Sequence, residues 1–214
     1  MSSVHFLIDE PSSTKANGTV ILAHGAGAPM DSPFMQAFGE GMAARGIRAA
    51  RFEFPYMAGR RESGKKRPPN PAGVLLDTWR EAIADIGGPV VVGGKSMGGR
   101  MASMIAAELE SEGSPVAGVA CLGYPFHPPG QPDKMRVDHL MEITTPVLIL
   151  QGTRDPFGTR DEVPGFGLPR RIAIEWLKDG DHGFKPRKAS GLSEQDNWEQ
   201  AMDLLAAFAV KVLG

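Results

Sequence analysis

The stretch Pro89-Val-Val-Val-Gly-Gly-Lys-Ser-Met-Gly-Gly-Arg-Met-Ala-Ser103 constrains this chain more than any other. Val90 to Val92 form a short β-branched apolar run, as expected of a parallel-sheet strand covered on both faces. From Met97 the period changes, and Met97, Met101, Met104, Ile105 and Leu109 fall on one helical stripe. Between strand and helix lies Gly94-Lys95-Ser96-Met97-Gly98, a match to G-x-S-x-G. A serine at the tip of so sharp a turn has a strained backbone, and its neighbours two positions away must be nearly without side chains. The chain holds 27 glycines in 214 residues, so the bare motif is weak, and the strand before it and the helix after it give it weight. A phosphate loop ending in Gly94-Lys95-Ser96 is excluded. It requires glycine at position 89, where Pro89 stands, and its loop residues would be Val90 to Val92.

Along the chain, Val4 to Ile8 reads as a first strand and Pro11 to Gly18 as a loop. Thr19 to Ala23 is a strand running into His24-Gly-Ala-Gly-Ala28. Such a small-residue loop leaves backbone N–H groups free to face a ligand, and a plain strand-to-helix turn would look the same. Asp31 or Ser32 can cap a helix that opens at Pro33, shows Phe34, Phe38 and Met42 on one face, and ends at Gly46. Ile47 to Phe54 is a strand closed by Pro55. Met57 to Asn70 holds the one charge cluster, with Arg60, Arg61, Lys65, Lys66 and Arg67 around a single Glu62. We expect a solvated loop there, with attraction of an anionic substrate as the alternative.

Leu75, Trp79, Ala82, Ile83 and Ile86 make another helical stripe, ended by Gly87-Gly88-Pro89. Val116 to Leu122, Pro146 to Gln151 and Arg171 to Leu177 read as further strands, and Glu194 onward as a terminal helix. Strands alternating with helices predict a mostly parallel, doubly wound sheet in a three-layer α/β sandwich, one domain spanning 1–214. Ligands in such sheets bind beyond the carboxyl ends of the strands.

Ser96, Asp155 and His182 each lie just past a strand, in the chain order serine, acid, histidine. A serine hydroxyl needs an imidazole to take its proton, and that imidazole needs a carboxylate to hold its tautomer. The expected oxyanion donors are the backbone N–H groups of Ala26 and Met97, and the expected substrate contacts are Gly25, Gly27, Phe126 and His127. The competing carboxylates read as loop-capping or surface groups. Asp181 and Asp179 sit too close to His182 in sequence to aim at it, and Asp133, Asp138 and Asp161 lie in polar connections. His24, His5 and His139 read as structural or exposed, and Cys121 as a small buried hydrophobe. No metal-ligand spacing is present, and no cofactor is expected.

A formal net charge of −2 gives no general pull toward nucleic acid or anionic membranes. A single cysteine permits no intrachain disulfide, and the first residues lack the basic and apolar regions of a signal peptide. No apolar run is long enough to span a membrane, so a cytoplasmic protein is expected.

Five stretches together resemble small serine α/β-hydrolases of the dienelactone-hydrolase-like kind, nearest to the group of testis-expressed hydrolase-like proteins and their bacterial relatives. They are Leu22-Ala-His-Gly-Ala-Gly27, Gly94-Lys-Ser-Met-Gly-Gly-Arg100, Gly123-Tyr-Pro-Phe-His-Pro128, Leu150-Gln-Gly-Thr-Arg-Asp155 and Gly180-Asp-His182. The resemblance implies the α/β-hydrolase fold and the triad Ser96, Asp155 and His182. Dienelactone hydrolases proper carry a cysteine where this chain has Ser96, so their substrate does not carry over. The short connection from Tyr124 to Pro146 leaves no room for a helical lid. An open pocket is expected, roofed by loops near Met57–Asn70 and His127–Met135. The activity expected is esterase-like cleavage of a small acyl substrate through an acyl-enzyme on Ser96. The alternatives are an acyltransferase using the same triad and a silent hydrolase-fold interaction module.

Overall fold

The computed structural model describes residues 4–12, 16 and 18–214, so part of the expected loop over 11–18 lies outside the described residues. Seven strands form one sheet: β1 (Phe6–Asp9), β2 (Thr19–Ala23), β3 (Arg48–Phe52), β4 (Val90–Lys95), β5 (Gly118–Leu122), β6 (Val147–Gly152) and β7 (Ile172–Leu177). Their spatial order is β1-β3-β2-β4-β5-β6-β7. All neighbours are parallel except the edge pair, where β1 runs antiparallel to β3 with Phe6 opposite Phe52. The helices are α1 (Pro33–Ala44), α2 (Pro55–Ser63), α3 (Ala72–Ile86), α4 (Met97–Ser111), α5 (Asp138–Glu142) and α6 (Glu194–Leu213).

The strand pattern has period two, and each side of the sheet builds its own core. Ile21, Val90 and Val92 join Leu75 and Trp79 of α3 and Met101 and Ile105 of α4. Val20, Leu22 and Val91 point the other way, onto Met35, Phe38 and Met42 of α1 and Met202 and Leu205 of α6. Apolar cover on both faces is why the central strands are continuous hydrophobic runs and not alternating ones.

One segment departs from expectation. The charge cluster begins in α2 and not in a loop. Pro55 occupies the first helical turn, and no breaker follows until Gly64, which ends the helix at φ 67°. Tyr56 and Met57 bury the inner face, and Arg61 bridges Asp31 and Glu53 on the outer one. Beyond Gly64 the stretch is exposed loop, as expected. Between β5 and β6 the five-residue α5 is the one helix among the described residues, so no lid domain covers the strand ends. No helix among the described residues is long and apolar enough to cross a membrane.

Candidate active site

Ser96 stands between β4 and α4 with φ 52° and ψ −115°, a backbone state that side-chain-bearing residues rarely adopt. The turn is held from outside. Ser96 N–H donates to Leu122 O of β5 at 3.0 Å, and Arg100 N–H donates to Ser96 O at 3.0 Å. The flanking glycines are required because β2 runs alongside. A Cβ on Gly94 would overlap Ala23 O, and one on Gly98 would reach 2.6 Å from His24 O. The turn is thus compressed against the neighbouring strand as well as bent.

The loop after β2 lies against this elbow: a Cβ on Gly25 would stand 3.8 Å from Ser96 Cβ. Its carbonyls are hydrogen-bonded by side chains of α2. Tyr56 Oη donates to Ala26 O at 3.0 Å, and Arg60 Nη1 donates to Gly27 O at 3.3 Å. His24 is structural, as expected. It is buried, with Nε2 accepting from Phe54 N–H at 3.2 Å and Nδ1 against Gly25 O at 2.6 Å. That pattern puts the proton on Nδ1 of a neutral ring, in keeping with burial lowering its pKa.

Asp155 and His182 meet beyond the ends of β6 and β7. His182 Nδ1 donates to Asp155 Oδ2 at 2.8 Å. Asp155 is fully buried, and the His182 side chain is 25% exposed. The carboxylate is oriented from two further directions, by Gln151 Nε2 on Oδ2 at 3.0 Å and by Phe157 N–H on Oδ1 at 2.9 Å. The Phe157 ring lies 4.4 Å from the imidazole, tilted by 35°. Asp181 caps its own loop by accepting from Gly183 and Lys185 N–H, and Asp179 pairs with Arg154 and Arg187, so neither competes for His182. His182 also lies beside the elbow. A Cβ on Gly123 would stand 3.0 Å from His182 O and 2.7 Å from Lys95 Nζ. Ser96 Oγ makes no hydrogen bond among the described residues.

Four residues of this neighbourhood escape sequence reasoning. Gln151 is buried at the end of an apolar strand, and its one amide serves Asp155, Tyr124 and Gly158. A polar side chain closing the run Val147 to Leu150 was the available signal. Lys95 donates Nζ to His182 O between the rings of Phe34 and Phe184, whose centroids lie 5.2 and 5.3 Å away. Burial pushes its pKa down to about 8, against the pull of Asp155 and Asp181. Tyr56 and Phe157 carry no sequence signal beyond their positions after strands.

Two expected contacts need correction. Phe126 is wholly buried against Tyr124 and Phe166, and His127 is 2% exposed with Nδ1 against Pro128 O. Both shape the loop from beneath and present no surface to a ligand. Gly25 does border the elbow, whereas a Cβ on Gly27 would meet nothing within 4 Å. A cavity of about 680 Å³ lies elsewhere, bordered by Leu7, Met30, Glu53 and Arg61, and none of the expected site residues lines it.

Known proteins show the same architecture. A serine hydrolase homologue from Coxiella burnetii superposes with a TM-score of 0.70 at 15% identity, over 94% of this chain and 89% of its own. A lid-less serine hydrolase from Xanthomonas campestris gives 0.68 at 17% identity, over 98% and 96%. Est1E from Butyrivibrio proteoclasticus, with ferulic acid bound, gives 0.69 at 14% identity, over 98% and 95%. At such identities the likeness is one of fold. The family model described as an alpha/beta hydrolase domain matches residues 16–210, and by that match the chain belongs to the alpha/beta hydrolase family.

Proposed function

We propose that the chain is a serine hydrolase that cleaves an ester or related acyl bond of a small substrate. The observation that carries this reading is the His182 Nδ1 bond to buried Asp155, beside a serine on a strained strand-to-helix turn. The carboxylate holds the imidazole with its proton on Nδ1, which leaves Nε2 unprotonated as a base. Ser96 Oγ attacks the acyl carbon and its proton passes to His182 Nε2. Protonated His182, stabilised by Asp155, then gives that proton to the departing alcohol. Water, deprotonated by the same nitrogen, releases the acid and restores Ser96.

Met97 opens α4, so its N–H has no acceptor one turn earlier in the helix. The Ala26 N–H belongs to a loop whose carbonyls are held by Tyr56 and Arg60. These two donors are assigned to the oxyanion, each worth about 10²–10³ in rate. Two similar structures carry the names of an esterase domain and of a monoacylglycerol lipase, which agrees with ester chemistry. The absence of a lid among the described residues favours small substrates over long acyl chains.

Labelling with a fluorophosphonate probe tests the reading. Wild type is expected to label at Ser96, with no labelling of Ser96→Ala and little of His182→Ala, and to hydrolyse short-chain methyl esters. A well-folded wild type that neither labels nor turns over these esters would overturn it.

A further inference from the structure

Most half-buried arginines of this protein have an acceptor. Arg45, Arg48, Arg51, Arg80 and Arg154 pair with carboxylates, and Arg60 donates to a backbone carbonyl. Arg100 and Arg136 are the exceptions among the described residues. Both are partly withdrawn from solvent, neither pairs with a carboxylate, and Arg100 Nε is buried with no hydrogen-bond partner. A desolvated guanidinium without a counter-charge costs stability, so its retention calls for an explanation.

The two side chains belong to one cluster. Burial and then repulsion from Arg100 lower the Arg136 pKa, and both guanidiniums act on the Tyr124 hydroxyl. His139 lies there as well, with Nε2 on Ser103 Oγ at 2.8 Å, pushed down to about 4 by burial and then by Arg100. The acidic group that acts on His139 is exposed Asp138, which forms no ion pair with either arginine. Arg100 has no role in the hydrolytic scheme above, although it closes the motif Gly94 to Arg100.

Its place in the fold is informative. Arg100 lies in the first turn of α4, and its N–H donates to Ser96 O at 3.0 Å, so its backbone is one turn from the nucleophile's. Arg136 is brought to it by the loop after β5. Arg136 N–H donates to Phe126 O at 2.8 Å, and Tyr124 Oη donates to Arg136 O at 2.7 Å. That loop begins at Gly123, which packs against Lys95 and His182. The first turn of α4 adds the positive end of its dipole to the same region. Two neighbouring guanidiniums without a carboxylate partner, one of them on the residue whose N–H bonds Ser96 O, make a fork for an oxyanion.

Resting on the reading of Ser96 as the nucleophile, we propose that Arg100 and Arg136 form an anion subsite, so that the substrate is a small ester bearing a carboxylate or phosphate a few bonds from its acyl carbon. The subsite binds the charged group and places the neutral ester at Ser96. It is separate from the exposed basic loop after α2.

The test compares kcat/KM for monomethyl succinate and monomethyl glutarate with that for methyl butyrate and methyl valerate, each followed by acid release at low ionic strength. These pairs differ in a carboxylate against a methyl group. At least one half-ester is expected to exceed its neutral counterpart roughly ten-fold or more, the scale of a charge-assisted fork. Arg100→Gln and Arg136→Gln are each expected to bring that ratio near one, while Arg80→Gln, a surface control, leaves it unchanged. Succinate and inorganic phosphate, compared as inhibitors of methyl butyrate turnover, distinguish the two oxyanions. Equal turnover of charged and neutral esters by wild type, or a ratio indifferent to both substitutions, overturns the subsite and leaves the hydrolase reading standing. The converse is visible in Ser96→Ala and wild type by thermal unfolding. If no ester is cleaved, yet phosphate or succinate raises Tm and Arg100→Gln abolishes the rise, the subsite stands and the hydrolase reading falls. If neither anion raises Tm and no ester is cleaved, both fall.

Discussion

Lys95 Nζ donates to the backbone carbonyl of His182, so the residue preceding the nucleophile holds the loop that carries the proposed base. This cross-link runs from the end of β4 to the loop after β7. Two elements that are far apart in sequence are thereby set against one another.

Lys95→Met keeps the length and the aromatic contacts of the stem but loses the donor. We expect kcat for methyl butyrate to fall about ten-fold with KM little changed, because a small displacement of the base weakens proton transfer more than binding. The gap from wild type should narrow as pH rises past about 8, where Lys95 gives up its proton and becomes a weaker donor. Steady-state kinetics from pH 6 to 10 on both proteins, with matched circular dichroism, check this. An undiminished gap at high pH would mean that shape and not charge is what the lysine supplies.

Gln151 acts on Asp155 and on the loop at once. Gln151→Leu leaves Tyr124 N–H and part of Asp155 without partners in a buried place. Stability should fall by about 1–3 kcal/mol. Turnover should fall further than Ser96 labelling at saturating probe does, since the nucleophile remains. Urea unfolding and esterase assays on one preparation separate the two effects.

The strain at Ser96 can be measured directly. Ser96→Ala keeps a Cβ at φ 52° and should match wild type in stability, whereas Ser96→Gly relieves the backbone. Strain of this kind costs about 1–3 kcal/mol, and glycine returns some of it through the entropy of the unfolded chain. We therefore expect Ser96→Gly to exceed Ser96→Ala by about 1 kcal/mol in urea unfolding. Both should lose essentially all turnover, on the order of 10⁶-fold in a working triad.

His139 makes the protein acid-sensitive in a defined window. Its folded pKa, about 4, lies below the ordinary 6.5, first through burial and then through Arg100, with Asp138 opposing. Between these values the unfolded chain binds the proton and the folded one does not, so stability falls as pH drops from about 6.5 to 4. His139→Gln should flatten that slope while keeping a group able to bond Ser103 Oγ. Thermal unfolding of both proteins at pH 4.5, 5.5 and 7 would show it, and parallel curves would refute it.

Much of this molecule was legible in the chain. The strand at Val90 to Val92 and the stripe of α4 follow from period and side-chain shape, which are local properties. The glycine demand at Gly94 and Gly98 was also readable, although its cause was only half visible. The turn itself is tight, but the overlap a side chain would meet is with Ala23 and His24 at the end of the neighbouring strand. The pairing of Asp155 with His182 was readable because both follow strands that end on one edge of the sheet.

What the chain did not disclose depended on which surfaces meet. Met57 to Asn70 reads as a charged loop because α2 buries only Tyr56 and Met57 and spends its arginines on Asp31, Glu53 and Gly27. Those partners are distant in sequence, so no periodicity announces them. Phe126 and His127 followed a strand in the expected manner, yet the loop folds over them and removes them from the surface. Local pattern determined where strands, helices and the strained serine stand, because steric preference and hydrophobic period act within a few residues. Only the tertiary structure decided which polar groups share a partner, and which, like the Arg100 and Arg136 side chains among the described residues, were left without one, because hydrogen bonds and charge pairing are settled by neighbours that the chain brings together from afar.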